Sequence, residues 1–467
     1  MKKKNSANLL TEPINKLLFR LSAPIMLSAL LRTSYDMVDI IFASRLGGLQ
    51  VASIAFVGPL FMALLHIGLG LSLGGVSIIA KEIGKGDRER ASSFAKELLL
   101  LMIILGILMT VGGLLFSDSL LRLLGTSGEF FSQASIYTKI RFLSLIFALL
   151  FQLYLSFYNS QGKMRMSLYM TMVGLVLNAL LNTLLIYVYK MGIAGLAYAT
   201  LLTQVFQALI IMVLYHREDH NFDLNFLHLF KKPNLKQWQK LLRVGSPLSF
   251  SMGSSPLGHL LINSLIVSFG YEVVAAFAIG NQINTIFWDP ATAIGQSIVP
   301  LLAQNWGNRA LERMKKIIRN GMVYTVVFST VCAFLIQLVL RPVGSFLSKG
   351  DPIITEHVVD YIRVCGWGII PWGIFQTFSG IFNSFQKTKA TMIMSIIRLW
   401  GIRVPAVILL KTFLPAIGAY AVWVTIPLSN LLTVIAAIVL YYSFVPGKIF
   451  GPLEKPDGKK SISNNPV

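Results

Sequence analysis

Leu98-Leu-Leu-Leu-Met-Ile-Ile-Leu-Gly-Ile-Leu-Met-Thr-Val-Gly-Gly-Leu-Leu-Phe116 runs for 19 residues without a charge, bounded by Lys96-Glu97 on one side and Asp118 on the other. At about 1.5 Å of rise per residue, roughly 20 helical residues cross a hydrocarbon layer of about 30 Å, so the stretch reads as a transmembrane helix. Similar runs recur on both sides of it, and together they predict about twelve spans, near 18–43, 54–80, 97–116, 136–159, 166–189, 192–215, 244–268, 273–303, 318–342, 358–383, 391–411 and 416–444. Composition agrees: 55% of the 467 residues are hydrophobic and 13% charged, a balance that a soluble domain of this length does not normally tolerate. Lipid is therefore the solvent for most of the chain.

The formal charge of +21 invites a polyanionic partner, but its placement argues otherwise. With the first loop assigned inside, Lys2, Lys3, Lys4, Lys81, Lys85, Arg88, Arg90, Lys163, Arg165, Arg217, Lys231, Lys232, Arg309, Arg313, Lys315, Lys387 and Lys389 fall on one side. Arg45, Arg122, Lys190, Arg341, Lys349 and Lys411 fall on the other. That asymmetry is the positive-inside rule. It predicts a multi-pass protein of the cell (plasma) membrane with both termini cytoplasmic, and it explains the charge without nucleic acid. The start, Met-Lys-Lys-Lys, has no short apolar run with a small-residue cleavage site behind it, so no cleaved signal is expected. Cys332 and Cys365 lie in apolar runs and form neither a disulfide framework nor a metal-ligand spacing.

The longest polar interruption divides the chain into a lobe at 1–215, a connector at 216–243, a second lobe at 244–444 and a tail at 445–467. The halves repeat one another at a constant spacing of 223: Pro24 with Pro247, Gly47 with Gly270, Gly84 with Gly307 and Gly195 with Gly418. Six spans per repeat make the repeats parallel, related by an axis along the membrane normal. The predicted fold class is an all-α membrane protein of about 12 transmembrane helices in two pseudo-symmetric six-helix lobes. An amphipathic stretch before each repeat, Pro13 to Phe19 and Pro233 to Leu242, reads as an interfacial helix.

Acids within the bilayer are costly, about 2.5 to 3.5 kcal/mol at a helix centre, and are kept mostly where they face a cavity or a partner. Asp36, Asp39 and Asp289 are the candidates. Asp36 and Asp39 share a helix face at i, i+3 and can raise each other's proton affinity; the plainer reading pairs Asp36 with Arg32. Asn178 and Asn182, one turn apart, can offer amide groups to a carboxyl, or serve only as glue between helices. Asp289 precedes Pro290, where a bend is expected; it forms a second proton or cation site, or neutralises Arg398 or Arg403. Phe287, Trp288, Phe375 and Phe378 are candidates for lining a pocket for flat organic cations, and the plainer reading of each alone is lipid-facing or packing bulk. His66 and His259 are intramembrane histidines whose plainer reading is packing. His216-Arg-Glu-Asp-His220 has the wrong order for a zinc motif, and Gly84-Lys-Gly-Asp-Arg88 is no phosphate loop, so neither a metal centre nor ATP hydrolysis is expected.

Val38-Asp39-Ile-Ile-Phe-Ala-Ser-Arg-Leu-Gly47, Asn178-Ala-Leu-Leu-Asn182, Gly192-Ile-Ala-Gly-Leu-Ala-Tyr-Ala-Thr200, Arg403-Val-Pro405 and Gly418-Ala-Tyr-Ala-Val-Trp423 together resemble the MATE (multidrug and toxic compound extrusion) family. The similarity covers nearly the whole chain. It implies cation-coupled export of amphipathic, often cationic compounds by alternating access of two lobes. It also implies an N-lobe coupling site at Asp39, Asn178, Asn182 and Thr200. Asn182 stands where the family usually has an acid, which favours a proton over sodium as the coupling ion. Ser255 stands where one branch has a Glu, so the chain resembles the branch that couples through its N-lobe. The expected partners are small organic substrates and membrane lipids, with no cofactor beyond the coupling ion, no nucleic acid and no obligate protein partner. A flippase for a lipid-linked precursor is the alternative, kept alive by Arg32, Arg398 and Arg403. A membrane enzyme or receptor is disfavoured, since the chain has no interfacial cluster of His and acids and no sizeable extramembrane domain.

Overall fold

A computed structural model describes residues 8–218, 220, 222, 224, 233–348 and 350–445. The described residues form twelve helical rods. The first nine are α1 (Ile14–Leu46), α2 (Gly48–Gly84), α3 (Arg88–Leu123), α4 (Gly128–Ser160), α5 (Arg165–Asn182, extended by a π-helical turn Thr183–Val188), α6 (Gly192–Arg217), α7 (Leu235–Val267), α8 (Tyr271–Gly307) and α9 (Leu311–Leu347). The tenth joins α10 (Pro352–Cys365) to α11 (Ile369–Ser384) through a 3-10 turn at Gly366–Gly368. The eleventh joins α12 (Thr388–Ile396) to α13 (Val404–Phe413) through a π-helical turn Ile397–Arg403, and α14 (Tyr420–Phe444) is the last. Ten rods are long and apolar enough to cross a membrane; α7 and α8 are equally long but more polar. That polarity comes from residues such as His259, Asn281, Asn284 and Asp289, which face a cavity.

The chain is thus a multi-pass membrane protein. Several rods reach 33 to 37 residues, about 50 Å or more, and so project beyond the hydrocarbon. This is why the amphipathic stretches at Pro13 and Pro233 are not separate interfacial helices: they enter the first turns of α1 and α7. α8 runs through Pro290 and Pro300 without a break in its helix. The 223-residue repeat is visible in the backbone, because Gly47 (φ +131°) and Gly270 (φ +107°) occupy equivalent turns that an L side chain would strain. Gly418 (φ +53°), however, matches Gly192 (φ +58°) in conformation, while Gly195 lies inside α6. The loop before the last helix has lengthened, shifting that pairing by three residues.

The lobes are locked by an exchange of helix ends. Leu18 and Leu21 of α1 are buried among Ile294, Ile298 and Phe382 of the second half. Their counterparts one repeat on, Leu241 and Val244 of α7, are buried among Leu98, Leu149 and Tyr215 of the first. Small residues let α2 and α7 touch backbone to backbone: a Cβ on Gly70 would meet the Ser249 nitrogen at 2.2 Å, and one on Gly74 the Gly245 Cα at 2.7 Å. At the end carrying most of the Lys and Arg, Gly84 and Gly307 face each other across the pseudo-axis. A Cβ on Gly84 would lie 2.0 Å from the Gln304 carbonyl, and one on Gly307 2.1 Å from that of Lys81. The Lys81 ammonium caps the Trp306 ring at 3.2 Å, and Gln304 Nε2 donates to the Ser160 carbonyl at 2.8 Å. The basic end is closed.

Candidate functional site

Buried polar groups interrupt the apolar interior in both lobes, and one in each gathers candidate site residues. In the first, α1 and α5 run parallel and exchange two rungs of side chains. Asn178 Nδ2 donates to the Tyr35 hydroxyl at 2.9 Å. One helical turn along, Asn182 Nδ2 donates at 2.9 Å to both Asp39 Oδ1 and Asn178 Oδ1. Tyr35 and Asp39 are four residues apart, as are Asn178 and Asn182, so helical geometry places each pair on one face. Both asparagines are fully buried, where each polar atom left unmatched is destabilising. One is left unmatched: the Asn182 side-chain oxygen has no hydrogen-bond partner among the described residues. The π-helical turn begins at Thr183, directly after Asn182, and such turns are frequent at functional sites.

Of the residues proposed for this site, Asp39, Asn178 and Asn182 are brought together. Thr200 is buried on α6 and bonds its own helix, Oγ1 donating to the Leu196 carbonyl at 3.2 Å. The Asp36 side chain lies outside the described residues. Tyr35 is the member that sequence reasoning missed; the available signal was its place one turn before Asp39. His66 sits where α2 meets α7, beside the Met252 backbone, with Nδ1 buried and unpartnered among the described residues.

The second lobe holds a cavity of about 190 Å³ lined by His259, Asn284, Trp288, Asp289, Arg398 and Arg403, among others. Arg398 and Arg403 both reach it because the turn between them is π-helical. In an α-helix, residues five apart diverge by about 140°, whereas the i to i+5 bonding of a π-helix brings them to the same side. The Arg403 guanidinium is held by neutral acceptors: Nε donates to Ser429 Oγ at 2.9 Å, and Nη2 donates to Asn430 Oδ1 at 2.9 Å and to the Ile426 carbonyl at 3.4 Å. Asn430 in turn donates to the Gly368 carbonyl at 3.2 Å, in the 3-10 turn that interrupts the tenth rod. The Arg398 guanidinium lies 4.8 Å from the Trp372 ring and 5.2 Å from Phe375.

Of the four aromatic candidates, Trp288 lines the cavity and stacks on Trp372 at 5.3 Å. Phe375 and Phe378 are instead buried in the core with Ile381 and Phe382, and Phe287 packs against the cores around Trp423 and Ala291. Bulky rings in a lipid-facing bundle fill interhelical space as readily as they line cavities, and composition does not separate the two. Asn284 was missed, although an amide at mid-span carries the same penalty that singled out Asn178. No group of three or more potential metal ligands occurs among the described residues.

Comparison with known proteins bears on both lobes. The family model described as MatE matches residues 24–184 and again 247–409, the two halves found from the 223-residue spacing. A probable multidrug resistance protein YoeA of Bacillus subtilis is 27% identical over 430 residues, covering 90% of this chain and 92% of the relative. A protein named FAD transporter from Shewanella oneidensis is 25% identical, covering 94% and 96%. Among solved structures, an outward-facing multidrug resistance MATE family transporter of the MOP superfamily is similar in fold, with a TM-score of 0.88 and 24% identity over 95% of this chain and 98% of that one.

Proposed function

This chain belongs to the MatE family of transporters, and on that premise we propose that it exports amphipathic organic compounds across the plasma membrane in exchange for protons carried inward by Asp39. Both termini are cytoplasmic in this reading, and the closed basic end is the cytoplasmic side. The relatives are named for multidrug resistance and for FAD transport, which fits a scaffold whose substrates vary more than its coupling site.

The observation that carries the choice of ion is the position of the Asn182 nitrogen. It donates to Asp39 and to Asn178 at once, so an N–H donor occupies the space between the two oxygens that a sodium ion would have to share. Hard cations take oxygen ligands, and a second carboxylate at this position would supply them; an amide nitrogen does not. A proton needs no such cage. When Asp39 is protonated its hydroxyl becomes a donor, and the unpartnered Asn182 oxygen is an acceptor that it can satisfy if the amide turns over. The two protonation states thus favour two arrangements of the same hydrogen bonds, which is what coupling requires. A proton moving inward down about 130 mV releases roughly 3 kcal/mol, enough at about 1.4 kcal/mol per decade to hold a hundredfold gradient.

The test uses proteoliposomes loaded with ethidium or, in parallel, with carboxyfluorescein, under an imposed pH gradient and separately a sodium gradient. Wild type responds to the pH gradient with at least one dye, and Asp39→Asn does not. Equal transport by the variant, or a response to sodium alone, would refute the assignment.

A further inference from the structure

We propose that the C-lobe cavity recognises an anionic group, a carboxylate or a phosphate, carried on a flat apolar ring. The inference rests on the export reading and gives it a substrate class. Arg398 and Arg403 are 5% and 2% exposed, and neither makes an ion pair among the described residues. Buried guanidinium groups are strongly disfavoured unless their charge and donors are met. Arg403 meets its requirement with neutral oxygens, which satisfy donors but not charge. Arg398 makes no hydrogen bond at all among the described residues, and its Nε is buried without a partner. What lies against Arg398 are the Trp372 and Phe375 rings, 4.8 and 5.2 Å from its guanidinium carbon, cation–π contacts that do not consume its donors.

The remaining lining points the same way. Among the described residues, Trp288 Nε1 is a buried donor without an acceptor, and neither amide atom of Asn284 attains hydrogen-bond geometry, though Tyr361 lies beside it. Two guanidinium groups and His259 share the space with one carboxylate, Asp289. A planar oxyanion answers the Arg398 fork in two parallel bonds, and the stacked Trp288 and Trp372 rings offer a face for an aromatic body. The volume of 190 Å³ equals about six waters at roughly 30 Å³ each, room for an acidic head and a small ring system. It is below the roughly 300 Å³ of a pocket that encloses a drug-sized ligand, so a larger substrate would seat only its head here.

The experiment is equilibrium binding to the purified full chain in detergent, with no gradient, using 1-naphthoate, 1-naphthyl phosphate and 1-naphthylmethylammonium as probes. Wild type binds the two anions more tightly than the cation. Arg398→Gln weakens both anions by about tenfold or more and leaves the cation unchanged. Asn284→Leu, which keeps the number and branching of the side-chain heavy atoms, weakens the anions several-fold and keeps the test standing should Arg398→Gln fail to fold. Equal binding of all three probes by wild type, or anion binding unchanged in the folded variants, overturns the proposal. Competition by phosphatidylglycerol would assign the anion to a lipid headgroup, and its absence to a soluble substrate; both outcomes keep the site. Anion binding by wild type that shows no pH-driven export would sink the export reading and spare the cavity.

Discussion

Asn182 is the residue on which the proposed proton coupling turns. Its nitrogen bridges two oxygens, so replacing the amide by a carboxylate turns a donor into an acceptor beside Asp39. Two carboxylates in apolar surroundings repel, and one is held protonated or neutralised by a cation. Asn182→Asp is therefore expected to make transport respond to a sodium gradient, measured in the same proteoliposomes; a variant still indifferent to sodium would mean that the geometry around Asp39 lacks further oxygen ligands. Tyr35 matters less: Tyr35→Phe removes the acceptor for Asn178 Nδ2 and should lower thermal stability by only about 0.6 kcal/mol, the average for such bonds in membranes. At this scale the sequence was most informative where chemistry conflicts with lipid. Asp39, Asn178 and Asn182 stand out because acids and amides are rare in apolar runs. Tyr35 did not, since an aromatic residue in a membrane helix needs no special explanation.

The π-helical turns are the elements that sequence patterning could not reveal. Apolar periodicity assumes about 3.6 residues per turn, and a local change to i, i+5 bonding leaves composition untouched. Yet Ile397–Arg403 is what aims Arg398 and Arg403 into one cavity. Inserting an alanine beside Gly401, which is solvent- or lipid-exposed, sets Arg398 and Arg403 six residues apart, roughly 120° around an α-helix, and should rotate one arginine away from the other. The expected result is loss of naphthoate binding by about tenfold with the helical circular dichroism retained; unchanged binding would show that the turn does not organise the cavity. The spans themselves were legible from hydropathy, but their ends were not, because helices of 33 to 37 residues continue into polar sequence well past the hydrocarbon edge. The displaced partner of Gly418 has the same kind of origin, since a constant spacing cannot register a loop that lengthens late in the repeat.

Across the whole molecule, the repeat places equivalent residues in equivalent roles, and the contact of Gly84 with Gly307 is where the symmetry closes on itself. Gly84→Val puts side-chain atoms where the Gln304 carbonyl already lies, 2.0 Å from the first of them. Overpacking of this kind is expected to destabilise the closed basic end by about 1 to 3 kcal/mol, a shift of several-fold to about a hundredfold in the conformational equilibrium. Spin labels at Leu123 and Phe346, both strongly exposed at the opposite end and one repeat apart, report that equilibrium. The label distance should shorten in Gly84→Val as the opposite end closes, and an unchanged distribution would separate this contact from the transport cycle. The two-lobed plan was readable from the 223-residue spacing. The exchange of α1 and α7 between the lobes was not, because Leu18 and Leu241 look like any other core leucines until their surroundings are known.

The central claim is that Asp39 gains and loses a proton within the amide network and that sodium does not take its place. Infrared difference spectroscopy between acid and alkaline pH reads this without a substrate. Wild type should show a protonated-carboxyl band that titrates with pH, is unaffected by sodium at fixed pH, and disappears in Asp39→Asn. A band that persists in Asp39→Asn, or one that sodium displaces at constant pH, would contradict the account.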